Sequence, residues 1–232
     1  MLRDCFLKKE FKKVANSNHS YEWGSGNEAD SIRTLTSQGM ADSVKKILKG
    51  HYLEDGVWVF GYGSLMWNPD FKYVKKISGE ILGYKRSLCL KSTVYRGSSD
   101  YHGIVFGLDK GDFCQGMAFQ IDSKNMTSEL QKVWKREMFA ETYIPTWVRV
   151  RTKIGDVSAI SFVINTAHDH YLPNLKLKAI AKRVVRAEGK CGTCLDYVQN
   201  TLRYLYKFGM RDPFLEKLLT LIEFNQNSSN SN

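Results

Sequence analysis

Strand patterning crowds into residues 57–164 of this 232-residue chain, broken by one helical interval, whereas residues 175–224 carry helical periodicity alone. A doubly wound sheet needs strand and helix to alternate regularly, so it is disfavoured. The expected fold class is α+β, with a mixed, barrel-like sheet. Strands are expected at Val57–Phe60, Val74–Leu82, Arg86–Ser92, Ile104–Leu108, Cys114–Ile121, Thr146–Lys153 and Val157–Ile164. Helices are expected at Ser128–Phe139, Leu175–Ala187, Tyr197–Phe208 and Asp212–Phe224, the last with Pro213 at its start.

The ends read differently from this body. Asn16–Asp30 is rich in Ser, Asn, Gly and charge and suits a loop, while Asp42–Leu53 has the spacing of a short amphipathic helix that docks on the rest. Asn225–Asn232 is Asn and Ser with Gln226 and no apolar residue, and suits a frayed, disordered tail. The chain therefore divides into a partly helical N-terminal extension over 1–56, a main domain over 57–224 and a tail over 225–232.

With 43% hydrophobic residues the chain can bury a core. No apolar run approaches the roughly 18 residues of a membrane span, and the charged N-terminus has no uninterrupted apolar signal region. Five cysteines in a chain this long do not make a secreted disulfide scaffold, so a soluble, cytoplasmic protein is expected. The net charge of +10 biases the surface towards anions without choosing among nucleic acid, an acidic membrane or a small substrate. No RNP-type or helix-turn-helix pattern is present, so neither nucleic acid nor membrane is expected as a partner. Oligomeric state stays open.

Four clusters carry possible chemistry. Gly61-Tyr62-Gly63-Ser64 ends an apolar strand and suits either an ordinary turn or a backbone cradle for an oxyanion or carboxylate. It lacks the third glycine of a dinucleotide fingerprint, the ending of a P-loop and the second glycine of a nucleophile elbow. Glu137 and Glu141 are spaced to share a helix face. Either is a solvated carboxylate paired with Lys135 or Arg136, or a buried one whose raised pKa suits a general base. Cys191-Gly192-Thr193-Cys194 has CxxC spacing but no second pair, and His168 and His170 lie far upstream, so a turn between helices is expected and no metal site. The segment 176–190 is a basic amphipathic helix, either a solvated face or an anion-binding one.

Taken in order, Val59-Phe60-Gly61-Tyr62-Gly63-Ser64-Leu65-Met66-Trp67, Gly83-Tyr84-Lys85-Arg86, Arg96-Gly97, Trp134-Lys135-Arg136-Glu137-Met138 and Tyr143 resemble the ChaC-type γ-glutamylcyclotransferases across about residues 57–220. The resemblance implies a γ-glutamylcyclotransferase-like mixed β-barrel flanked by helices, cleavage of glutathione to 5-oxoproline and cysteinylglycine, a cytosolic setting and no cofactor. It matches Glu137 to the catalytic carboxylate, Val59, Phe60, Gly61, Tyr62, Gly63, Ser64 and Leu65 to the substrate-cradling strand and loop, and Tyr143 to a pocket tyrosine. The chain departs from the family after Arg96-Gly97: Ser98–Gly103 replaces a Pro-Gly-containing stretch, and Ile104 stands where the family has arginine. A cation facing a glutathione carboxylate would then come from Arg96, Lys91 or the 176–190 helix. Two alternatives stay open on sequence alone: a non-catalytic γ-glutamyl or amino-acid binder on the same fold, and a cyclotransferase for other γ-glutamyl amines.

Overall fold

A computed structural model describes residues 35–229. The loop expected over Asn16–Asp30 lies outside them. The first helix among the described residues, α1, is Ser37–Leu48, with the Thr36 hydroxyl accepting from the Gly39 amide at 3.0 Å. It starts and ends five residues earlier than the apolar spacing implied, because the Thr36 cap sets the start and Gly50, at φ +81°, turns the chain after the end.

Strand β1, Val57–Gly61, leads into a single 3-10 turn at Ser64–Met66. Two long strands follow, β2 (Lys75–Ser92) and β3 (Gly103–Ile121), paired antiparallel along nearly their whole length. The sequence suggested four short strands here. Gly83 is the reason for the difference: at φ +81° it marks a register shift between Leu82 and Tyr84, so it bends one continuous strand as a bulge instead of reversing it. Then come α2 (Met126–Glu137), β4 (Tyr143–Thr152), β5 (Gly155–Ile164) and α3 (Leu177–Arg186). A two-residue hairpin of β6 (Glu188–Gly189) and β7 (Gly192–Thr193) precedes α4 (Cys194–Lys207) and α5 (Pro213–Ser229). The last helix runs through most of the stretch whose composition suggested a tail.

The five long strands close into a barrel in the order β1-β3-β2-β4-β5. Closure comes from β1 lying parallel to β5, with Trp58 against Ala159 and Val59 against Ile160. A barrel leaves few strand edges exposed, and its interior must be filled by side chains. Phe60, Phe106, Phe119, Phe162 and Trp134 fill the core and are fully buried. Five helices among the described residues flank the barrel. None of them is long and apolar enough to cross a membrane.

Helix α1 is tied to the barrel by specific bonds. Trp134 Nε1 donates to Ser43 Oγ at 3.0 Å, and Trp147 Nε1 donates to the Ile47 carbonyl at 2.8 Å while its ring stacks on His51. Helix α3 buries Ile180, Ala181 and Val184 and exposes Lys178, Lys182 and Arg186 along a groove of about 620 Å³ shared with α5. Its basic residues therefore lie on the solvated side of an otherwise packed helix.

Candidate active site

The site begins where β1 runs out. Gly61 is still held in register opposite Met117 of β3, and the chain turns back so sharply that a Cβ on Gly61 would stand 2.8 Å from Leu65 Cβ. A Cβ on Gly63 would stand 3.2 Å from the Tyr197 hydroxyl. The two glycines are thus explained by close approach, of backbone to backbone at one and of backbone to a phenol at the other. The turn's own bonds run from Met66 N to Gly63 O and from Trp67 N and Asn68 N to Ser64 O. The Ser64 and Leu65 amides have no acceptor among the described residues, so the loop presents two adjacent N–H donors.

A buried arginine locks the loop from behind. Arg86 donates Nε to the Tyr62 carbonyl at 2.6 Å, Nη2 to the Gln115 carbonyl and Nη1 to Asp212, which also accepts from Leu215 N at the start of α5. The arginine side chain is 3% exposed.

Glu137 is the last residue of α2. Its Oε1 lies 3.1 Å from Arg136 Nε, and Arg136 in turn donates Nη2 to Ser64 Oγ at 2.8 Å and Nη1 to the Asn68 carbonyl. One guanidinium therefore joins the carboxylate to the glycine loop. Burial pushes the Glu137 carboxyl above its ordinary 4.5, against the pull of the Arg136 charge and hydrogen bond. Glu141 does not share this face. The helix stops at Glu137, Glu141 takes φ +50° beyond it, and its backbone carbonyl accepts from Asn165 Nδ2.

Three tyrosines complete the wall. Tyr62 donates to the Phe162 carbonyl at 2.7 Å, Tyr143 donates to the Phe106 carbonyl at 2.7 Å, and Tyr197 accepts from the Phe106 amide at 3.3 Å. Burial raises all three phenols above their usual range, and each also feels the negative charge of Glu137. At neutral pH they are uncharged hydroxyls with fixed partners around one carboxylate. The Val59 and Phe60 side chains are fully buried in the core and do not face the site, and Leu65, within the turn, is buried as well.

Tyr197 was not singled out by the sequence, where it looks like one apolar position of an amphipathic helix. Barrel closure and the β6–β7 hairpin bring α4 against Gly63, and no local spacing announces that. Arg96 borders the same wall: its guanidinium lies 5.4 Å from the centre of the Tyr197 ring, with Nη1 donating to the Thr193 carbonyl at 3.1 Å. Ile104 is fully buried and its carbonyl faces Cys194 Sγ, so that position turns into the core.

The CxxC stretch runs from the turn of the β6–β7 hairpin into the first residue of α4, so it lies in the short connection between α3 and α4. Cys191 and Cys194 are both free thiols. Burial pushes the Cys194 thiol up to about 11. No group of three or more His, Cys, Asp or Glu among the described residues is placed to hold a metal ion.

A carboxylate of raised pKa, two amides without an acceptor among the described residues and three neutral hydroxyls are groups that could serve proton transfer coupled to attack on a carbonyl. The model of the family described as "ChaC-like protein" matches residues 57–225, and the chain belongs to that family. It is 34% identical over 171 residues to a glutathione-specific gamma-glutamylcyclotransferase of Escherichia coli, covering 73% of this chain and 74% of that one. It is 28% identical over 157 residues to glutathione-specific gamma-glutamylcyclotransferase 1 of Danio rerio, covering 66% and 80%. In fold it is similar to the crystal structure of a glutathione-specific γ-glutamyl cyclotransferase from yeast, with a TM-score of 0.67 at 18% identity over 73% of this chain and 96% of that one.

Proposed function

We propose that this chain is a cytoplasmic γ-glutamylcyclotransferase that cleaves glutathione to 5-oxoproline and cysteinylglycine, with Glu137 as general base and then general acid. The observation that carries the reading is a carboxylate of raised pKa, with a side chain 15% exposed, tied through Arg136 to a loop with two unclaimed amides.

The reaction uses the substrate's own amine as nucleophile. That amine is protonated near neutral pH, and a carboxylate whose pKa has been raised by burial is a better proton acceptor than an exposed one. Glu137 takes the proton, the freed nitrogen attacks the γ-carbonyl carbon and a five-membered ring closes. Negative charge then develops on the carbonyl oxygen, where the Ser64 and Leu65 amides donate. Glu137 returns its proton to the cysteinyl nitrogen and the amide bond breaks, the ring nitrogen gives up its second proton to the released amine, and both products leave. Because nucleophile and electrophile belong to one molecule, the pocket's task is to fold the γ-glutamyl chain and keep it folded. Effective molarities for well-oriented intramolecular attack reach about 10⁵–10⁸ M. The tyrosine hydroxyls, already bonded to backbone, keep the walls of that pocket in place.

The E. coli and zebrafish relatives named as glutathione-specific support the substrate. Free thiols at Cys89, Cys114, Cys191 and Cys194 accord with a reducing, glutathione-rich compartment. The division into an extension over 1–56 and a cyclotransferase domain over 57–224 belongs to the same reading. The test is incubation of the purified full chain with glutathione and mass spectrometry of the products. Equimolar 5-oxoproline and cysteinylglycine are expected. Turnover confined to other γ-glutamyl amines would overturn the substrate, and no turnover of any γ-glutamyl compound would overturn the reaction.

A further inference from the structure

We propose that Arg96 binds the free carboxylate at the glycyl end of the substrate and so selects γ-glutamyl peptides that end in a carboxylate at that distance from the scissile bond. The inference rests on the reading of Glu137 and the 61–65 loop as the reacting centre.

Glutathione carries two carboxylates, one beside the attacking amine and one at the far end of cysteinylglycine. With the amine at Glu137 and the γ-carbonyl at the Ser64 and Leu65 amides, the leaving peptide has to run away from both. Tyr197 provides the surface next to them, since its hydroxyl stands 3.2 Å from where a Cβ on Gly63 would be. Two extended residues span roughly 7 Å. The Arg96 guanidinium lies 5.4 Å from the centre of the Tyr197 ring, so one ring meets both the reacting loop and this cation.

The two arginines near the site differ in what they have left to give. Arg136 is committed at Nε to Glu137, at Nη1 to the Asn68 carbonyl and at Nη2 to Ser64. Arg96 gives only Nη1, to the Thr193 carbonyl, and no carboxylate among the described residues is within ion-pair distance of it. A guanidinium has five N–H donors in a planar fork that matches a carboxylate. Most of that fork is unspent.

It is also held in place. The Arg96 amide donates to Ser92 Oγ at 3.0 Å. The loop that carries it is pinned to the β6–β7 hairpin by Lys190 N to Val94 O and Cys191 N to Tyr95 O, each 2.9 Å. A Cβ on Gly97 would collide with the Gly103 amide at 2.0 Å, so the base of the loop admits no side chain there. A cation fixed by stacking and backbone contacts loses little freedom when an anion arrives. Burial raises the Cys191 thiol while the Arg96 and Arg136 charges both pull it down, so both guanidinium charges reach this rim.

The experiment compares the full chain with Arg96→Gln and Arg96→Lys, using glutathione and glutathione with its glycyl carboxylate converted to the amide. Steady-state 5-oxoproline release and calorimetric binding in a Glu137→Gln background are both read. For glutathione, Arg96→Gln is expected to raise KM and weaken binding on the order of 10- to 100-fold with kcat little changed, and Arg96→Lys to fall between. For the amide, the unmodified chain and Arg96→Gln should behave alike. Equal losses on both substrates would assign Arg96 to the glutamyl end or to the loop's architecture and overturn the proposal, as would no change on glutathione. If the chain turns over no γ-glutamyl compound, binding still decides: Arg96-dependent binding of glutathione but not of its amide upholds the anchor although the catalytic reading has failed.

Discussion

Removing the Arg86 cation should cost more stability than most single substitutions. Its side chain is 3% exposed and that of Asp212 13%, and the arginine joins Asp212, the Tyr62 carbonyl and the Gln115 carbonyl in one place. Arg86→Met leaves a nearly buried carboxylate without its cation, a change that typically costs about 3–5 kcal/mol. It also leaves the Tyr62 carbonyl without its donor, with a penalty of about 1–3 kcal/mol when such a group stays buried. Asp212 retains a bond from Leu215 N at 3.1 Å and some solvent, so a loss of about 3 kcal/mol is expected. Against a total stability of about 5–15 kcal/mol this is large. Urea unfolding of Arg86→Met, Asp212→Asn and the double variant measures it. The double variant should be less destabilised than the sum of the singles, because it no longer buries a charge. A loss below about 1 kcal/mol for Arg86→Met, or strict additivity, would refute the reasoning. Because Arg86 also anchors the carbonyl of Tyr62, the double variant should regain stability without regaining full activity.

Other consequences can be checked separately. The raised Glu137 pKa means that the folded chain holds this proton more tightly than the unfolded chain does. Glu137 therefore favours folding below its ordinary 4.5, and that contribution is lost as pH rises through the folded value. Unfolding followed over pH should show the unmodified chain losing stability relative to Glu137→Gln as pH rises, and a constant difference would contradict the burial argument. Gly63→Ala places a methyl 3.2 Å from the Tyr197 hydroxyl and 3.6 Å from the Phe106 ring, which should cost about 1–3 kcal/mol. Its kcat/KM should fall further than thermal melting alone explains. Trp147→Phe deletes the bond to the Ile47 carbonyl and should cost about 0.5–1.5 kcal/mol. Limited proteolysis near α1 should speed up in that variant, and unchanged cleavage would show that this bond does not hold the helix.

Strand β1 and its turn were legible because a β-branched and aromatic run stops at two glycines, and backbone close approach is what such glycines report. The same logic misled at Gly83. A glycine in a strand pattern can mark a reversal or a bulge, and only the unbroken pairing of β2 with β3 on both sides of it distinguishes them. The choice between Glu137 and Glu141 was similarly closed to periodicity, which expected a helix through Phe139. The chain leaves helical geometry at Met138, and Glu137 becomes the terminal residue beside the loop. Arg86 stood inside a recognisable motif, yet its burial depends on Asp212, which is 126 residues away. Tyr197 had no signal in its neighbourhood, since its role comes from what barrel closure sets against Gly63.

The most direct test of the account is turnover of glutathione by Glu137→Gln beside the unmodified chain, at matched folding by circular dichroism. Loss of a positioned acid-base group should lower kcat by about 10²–10⁴-fold while calorimetry still detects glutathione binding. A Glu137→Gln protein that releases 5-oxoproline at near the unmodified rate would contradict the assignment of this carboxylate as the base.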